Sequence, residues 1–157
     1  MTFQHKEEHV DAEMILLQAN IDNMNHEFCS FVMDQLFEAG ANDVYWLPIM
    51  MKKNRPGIML NVLLDEELLP QVEEIIFRET TTLGLRYMQA SCHRLGRESI
   101  AVDTEWGAIQ VKLGYYGGKL VQFAPEFDDC ERAAREHSVP LKAVYDEVRR
   151  VYLNLQI

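Results

Sequence analysis

Residues 44–64 read Val44-Tyr45-Trp46-Leu47-Pro48-Ile49-Met50-Met51-Lys52-Lys53-Asn54-Arg55-Pro56-Gly57-Ile58-Met59-Leu60-Asn61-Val62-Leu63-Leu64. Apolar runs stand on both sides of a short cationic segment that closes on Pro-Gly, a strong turn signal. The pattern predicts two strands joined by a tight loop, with Lys52, Lys53 and Arg55 at or near the turn. Long cationic stems beside a guanidinium fork suit phosphate oxygens. The same residues also suit a hairpin tip kept soluble and protected from edge pairing.

Working outward, residues 13–20 carry the apolar run Met14-Ile15-Leu16-Leu17 and are expected to form a first strand. Residues 20–25, Asn-Ile-Asp-Asn-Met-Asn, are rich in side chains that bond their own backbone and start turns. Asn25 is a suitable N-cap for a helix in which Phe28, Phe31, Val32, Gln35 and Leu36 follow the 3.6-residue period and which Gly40 ends. Beyond the hairpin, Asp65-Glu66-Glu67 complements the dipole of a second helix, with Pro70 confined to its first turn. Val72, Ile75, Ile76 and Glu79 share one face there, and Thr80-Thr81-Thr82 disfavours further helix. Leu83-Gly84-Leu85 then enters a strand running to about His93. The order is strand, helix, strand, strand, helix, strand, the split βαβ pattern of ferredoxin-like domains. It predicts an α+β fold: a four-stranded antiparallel sheet with both helices on one face.

The expected organisation is therefore a disordered acidic leader (1–12), a ferredoxin-like βαββαβ domain (13–95) and an extension (96–157). His5 and His9 in the leader read as part of a solvated tail. In the extension, Ile100 and Val102 alternate on one side of Glu105-Trp106-Gly107, and Ile109, Val111 and Leu113 on the other, which marks a hairpin. Gly117-Gly118 turns the chain into a further strand ending at Pro125. Two C-terminal helices follow, residues 126–137 and a last one that Pro140 opens and that buries Leu141, Val144, Tyr145, Val148 and Tyr152 or Val151. Whether these strands extend the first sheet or form a second one is open at this stage.

Composition narrows the function. The net charge is −10 over 157 residues. Residues 1–51 hold nine acids and one base, residues 52–119 nine of each, and residues 120–157 seven acids and five bases. Most of the surface would repel a long nucleic acid, and no basic stripe compensates. A small phosphorylated ligand held by a local cationic cluster remains compatible. No apolar run is long enough to span a membrane. The three cysteines, Cys29, Cys92 and Cys130, form no CxxC pair, so a disulfide framework or zinc knuckle is not expected and a reducing cytoplasm is.

A second charged constellation, Arg78-Glu79-Thr80-Thr81-Thr82-Leu83-Gly84-Leu85-Arg86, sits where a helix ends and a strand begins. Its hydroxyls and flanking arginines suit phosphate or metal-bound water, and equally a capped helix end with surface cations. Lys112 and Lys119 fit either the same ligand or edge protection. Asp22, at the mouth of a strand, reads as a turn residue or a ligand. His26 and His93 read as surface or packing residues, and Cys130 as a buried thiol. No P-loop, GxGxxG or Ser-His-Asp pattern occurs.

Five segments together resemble one family. They are Asn20-Ile21-Asp22-Asn23-Met24, PIMMKKNRPG at 48–57, IIFRETTTLGLR at 75–86, APEFDDC at 124–130 and VPLKAVYDEV at 139–148. They are similar, in the same order, to the C-terminal part of LarC, the nickel-insertion family serving the nickel-pincer nucleotide cofactor of lactate racemase. The resemblance implies nickel insertion into pyridinium-3,5-bisthiocarboxylic acid mononucleotide, with CTP consumed to CMP and pyrophosphate. It implies that CTP is held here with Mg²⁺ or Mn²⁺, clamped by Lys52, Lys53 and Arg55 and from a second side by Arg78, Thr80, Thr81, Thr82 and Arg86. Asn54 either reads cytosine or shapes the turn. Asp22 and Glu126 are the implied metal carboxylates. The implied partners are the family's N-terminal domain, without which CTP turnover is not expected, and further copies of the chain. An alternative role is a scaffold module that positions that domain.

Overall fold

A computed structural model of the chain describes residues 7–155. The fold begins with β1 (His9–Ile21), α1 (Phe28–Glu38), β2 (Asp43–Met51), β3 (Arg55–Asp65), α2 (Leu69–Glu79) and β4 (Arg86–Arg94). The strands form one sheet in the order β2-β3-β1-β4, with β3 antiparallel to both of its neighbours. This is the expected ferredoxin-like α+β arrangement. It is followed by β5 (Gly96–Thr104), β6 (Gly107–Tyr116), β7 (Lys119–Pro125), α3 (Phe127–His137) and α4 (Leu141–Leu155). The later strands make a separate three-stranded antiparallel sheet, which answers the question the sequence left open. The chain divides into two compact units, Asp11–Cys92 and the described part of Met1–Val10 with His93–Ile157.

The first unit is built by alternation. Ile15, Leu17 and Ala19 of β1 lie opposite Leu64, Val62 and Leu60 of β3, and all are buried on one face. Val32 and Leu36 of α1 and Val72 and Ile76 of α2 cover that face, one pair per helix at i, i+4 spacing. Pro70 falls in the first turn of α2, where its missing N–H costs nothing, after a short 3-10 turn at Glu66–Leu68.

Three local expectations are corrected. β1 starts at His9 rather than Glu13, so residues 9–12 belong to a strand and not to a disordered leader; residues 1–6, with His5, lie outside the described residues. Its first five side chains are not buried, so burial left no apolar signal there. α1 starts at Phe28, and Asn25 shapes the turn before it: its Oδ1 accepts from Glu27 N at 3.1 Å and its carbonyl from Phe28 N. Phe28 and Phe31 share the helical period read for Val32 and Leu36, yet each keeps about half its surface exposed, at 51% and 53%. Two apolar stripes compete on α1, and the one through Val32 and Leu36 faces the sheet.

In the second unit, Val102, Ile109, Val111 and Leu113 meet Cys130 and Ala133 of α3 and Val144, Val148 and Tyr152 of α4. Glu8 Oε2 accepts from Gly117 N at 3.2 Å, which ties the described N-terminal residues to this unit. Among the described residues no helix is long and apolar enough to cross a membrane.

Candidate functional site

The topology of the first unit delivers three segments to one end of its sheet. They are residues 22–27 after β1, the β2–β3 turn Lys52–Asn54, and residues 80–85 between α2 and β4. The end of β1 holds the other two in place. Asp22 Oδ2 takes Arg55 Nη1 at 3.2 Å, and Asn23 Oδ1 takes the Thr81 hydroxyl at 2.6 Å. Asn20 Oδ1 takes Arg86 Nη2 at 3.3 Å, while Ile21 and Met24 between these polar residues pack into a small core with Ile58. Gly57 permits the close approach: a Cβ there would stand 2.7 Å from the Ile21 carbonyl oxygen. The two cationic motifs, separated by more than twenty residues in the sequence, are thus held on one scaffold.

The electrostatics of this cluster are unbalanced. Arg86 is oriented by neutral groups, Gln18 Oε1 at 3.1 Å, Asn20 Oδ1 and the Met59 sulfur, and has no carboxylate partner among the described residues. Gln18 is itself fixed by donating to Asn61 Oδ1 at 2.8 Å, and Asn61 is 1% exposed. Lys52 and Lys53 are exposed and make no ion pair among the described residues. Only Arg55 is neutralised, by Asp22. Lys53 (φ 62°) and Asn54 (φ 55°) both sit in the left-handed region, which asparagine tolerates and a long side chain such as lysine rarely adopts.

Thr80 and Thr82, unlike Thr81, are committed to backbone carbonyls of their own segment. Thr80 donates to the Ile76 carbonyl at 2.7 Å and caps α2, and Thr82 donates to the Gly84 carbonyl at 2.8 Å. Leu83, at the tip of that loop, is fully exposed. Arg78 is placed apart, on the last turn of α2, where its partners are Glu74 and Glu79, each at 3.8 Å. Sequence reasoning missed Gln18, Asn20 and Asn23 as the residues that organise the site. The available signal was a polar side chain at positions 18 and 20 of an otherwise apolar strand.

Asp22 and Glu126 fall in different units, and each already holds a cation: Arg55 for the first and Lys112 at 2.6 Å for the second. Among the described residues no three His, Cys, Asp or Glu side chains gather as a metal cage. The three cysteines are free. Cys130 is buried, and burial, reinforced by Asp129 and Glu126, pushes its thiol pKa up, so it is poorly suited to bind metal as a thiolate.

The family model described as nickel insertion protein matches residues 1–145. The chain belongs to the nickel insertion protein family. A family relative from Acetivibrio thermocellus, a pyridinium-3,5-bisthiocarboxylic acid mononucleotide nickel insertion protein, is 45% identical over 148 residues, covering 94% of this chain and 36% of its own length. One of the same description from Thermotoga petrophila is 39% identical over 142 residues, covering 90% and 36%. The chain therefore spans about a third of the length of these curated relatives. Among solved structures, it is similar to the C-terminal domain of a cyclometallase involved in synthesis of the NPN cofactor of lactate racemase, in apo form. That match has a TM-score of 0.85 at 32% identity and covers 92% of this chain and 98% of the other. A Methanopyrus kandleri protein shares the fold, with a TM-score of 0.66 at 21% identity, covering 94% and 91%.

Proposed function

We propose that this chain is the C-terminal, CTP- and divalent-metal-binding part of an enzyme that inserts nickel into pyridinium-3,5-bisthiocarboxylic acid mononucleotide. The insertion is coupled to hydrolysis of CTP to CMP and pyrophosphate and serves the cofactor of lactate racemase. Family membership and the relatives' names support the nickel chemistry. The observation that carries the nucleotide half is Arg86: a guanidinium held in position by neutral acceptors keeps its full charge for an incoming anion. Lys52, Lys53 and Arg55 face the same end of the sheet, so a triphosphate there meets cations from two sides. Cations so placed stabilise charge developing on the α-phosphate and the leaving pyrophosphate. Asn54, on the turn, contacts the base or holds the turn's shape, and Thr80, Thr81 and Thr82 build the opposite wall. Mg²⁺ or Mn²⁺ arrives with the nucleotide and takes Asp22 as its protein carboxylate. Nickel is the ion inserted, and the pincer substrate engages this chain together with the family's N-terminal domain.

Calorimetric titration with CTP, ATP and GTP, each with Mg²⁺ or Mn²⁺, tests the reading. CTP-selective, metal-dependent binding is expected, weakened tenfold or more (about 1.4 kcal/mol) in Lys53→Ala and Arg86→Ala. Unchanged affinity in Lys53→Ala, Arg55→Ala and Arg86→Ala alike would remove the site. The exposed Phe28 and Phe31 on α1 favour a second role as an assembly module in a homo-oligomer. A stable oligomer with no nucleotide affinity would leave only that role.

A further inference from the structure

Asn61 is the one amide side chain buried among the described residues, at 1% exposed, and no charged residue is buried there. It lies in the middle of β3, between Leu60 and Val62, which enter the apolar core, so it points to the opposite face of the sheet. A buried amide is costly unless its polar atoms are partnered, and an apolar side chain would carry no such cost. Both polar atoms of Asn61 are partnered. Its Nδ2 donates to the Met59 carbonyl at 3.3 Å, and its Oδ1 accepts from Nε2 of Gln18, the residue directly across on β1, at 2.8 Å.

These bonds have a direction, and a backbone atom sets it. A backbone carbonyl only accepts, so Asn61 turns its NH2 toward Met59 and its oxygen toward Gln18. Gln18 answers with its own NH2, which leaves its oxygen for Arg86 Nε at 3.1 Å. Asn20, two residues along the same face of β1, takes Arg86 Nη2 at 3.3 Å, and the Met59 sulfur stands 3.4 Å from that nitrogen. One edge of the guanidinium, Nε and Nη2, is thereby filled. Nη1 makes no hydrogen bond among the described residues and is left for a ligand. A reversed Gln18 amide would turn donors toward a guanidinium that can only donate. A carboxylate in place of Gln18 would hold Arg86 as firmly, but would cancel its charge.

We propose that Asn61 and Gln18 are positioning residues for the anion site. They form a relay of neutral amides that starts at the Met59 carbonyl, orients Arg86 by its Nε–Nη2 edge and presents Nη1 to a phosphate. Asn61 acts through Gln18, and Gln18 through Arg86. Reading that phosphate as part of CTP rests on the proposed function, whereas the hold on Arg86 does not. Replacing both members of a buried hydrogen-bonded pair by apolar groups of similar shape is close to neutral for stability or favourable. The pair therefore contributes orientation rather than stability.

The test compares Gln18→Met/Asn61→Leu with the wild type. The Arg86 Nε–H resonance, assigned by its absence in Arg86→Ala, is expected to be protected from solvent exchange in the wild type. It should lose that protection in the double variant, while the urea midpoint holds or rises. Affinity for CTP with Mg²⁺ should fall about tenfold, the scale of one hydrogen bond to a charged group. The same changes made in Arg86→Ala should cause no further fall, because their whole effect passes through that guanidinium. Gln18→Glu should also weaken binding, although it grips Arg86, since it neutralises the charge. Unchanged Nε–H protection, a loss of stability with affinity retained, or an equal loss of affinity in the Arg86→Ala background would each overturn the proposal. Gln18→Met alone, at a half-buried position, decides the same questions if the buried change prevents folding. CTP affinity indifferent to Arg86→Ala sinks the proposed function instead, and Nε–H protection, with inorganic pyrophosphate as the titrant, then judges the relay by itself.

Discussion

Lys53 is held at φ 62° and ψ 27°, and Asn54 follows at φ 55°. A lysine in the left-handed region costs about 1 kcal/mol relative to glycine, and a strained conformation at a surface turn is retained where the side chain is needed. Lys53→Gly is therefore expected to raise unfolding stability by about 1 kcal/mol in urea titration while weakening CTP binding. If stability and affinity both stay unchanged, Lys53 is neither strained nor used. Cys130 is a second single-residue case. Burial raises its thiol pKa, with Asp129 and Glu126 adding to the effect, so the unfolded thiol ionises first as the pH rises. The stability this buried thiol contributes is complete below the unfolded pKa and is lost as pH climbs toward the folded one. Cys130→Ala should accordingly be less stable than the wild type near neutrality, with the gap narrowing in alkaline solution. A constant gap from pH 7 to 10 would contradict the assignment.

The elements show what periodicity can and cannot reveal. On α1 the sequence offers Phe28 and Phe31 as well as Val32 and Leu36, and only the second pair lies under the sheet. Periodicity alone did not separate them, because the face a helix buries is set by the strands beneath it and not by its largest side chains. Leu36→Ala is expected to cost about 2–5 kcal/mol, against no more than about 0.5 kcal/mol for Phe31→Ser in the monomer. Comparable losses in denaturant melts would reverse the assignment of faces. The order of the first six elements was legible, since the apolar runs of β1, β2 and β3 and the helix stop at Gly40 agree with one another. The Pro-Gly signal was misplaced, because Pro56 and Gly57 pair with Met50 and Ile49 inside β3 and the turn itself is Lys52–Asn54. The start of β1 was not legible, because the unburied side chains of residues 9–13 carry no apolar pattern. The cationic motifs of the candidate site were visible as charge. Their convergence depends on Asn20, Asp22 and Asn23 reaching three separate partners, a tertiary fact that no local pattern encodes.

At the scale of the whole molecule, each unit has an apolar core of its own among the described residues. The loop cluster, from Gln18 to Arg86, draws every contact described for it from Asp11–Cys92. The second core depends on Tyr152, which is 1% exposed and packs on Phe123 with ring centroids 4.3 Å apart. Truncating a buried aromatic ring of this size costs about 3–5 kcal/mol, through lost transfer energy and the cavity left behind. If stability is partitioned as the cores are, Tyr152→Ala should strip hydrogen-exchange protection from β5, β6, α3 and α4 and leave β1, β3 and α2 protected. CTP affinity should then survive in the variant, because Lys52, Lys53, Arg55 and Arg86 stand on the core that is untouched. An equal fall in protection across both sets of amides would mean that the chain unfolds as one cooperative block. The proposed nucleotide site would in that case depend on α4 for its stability.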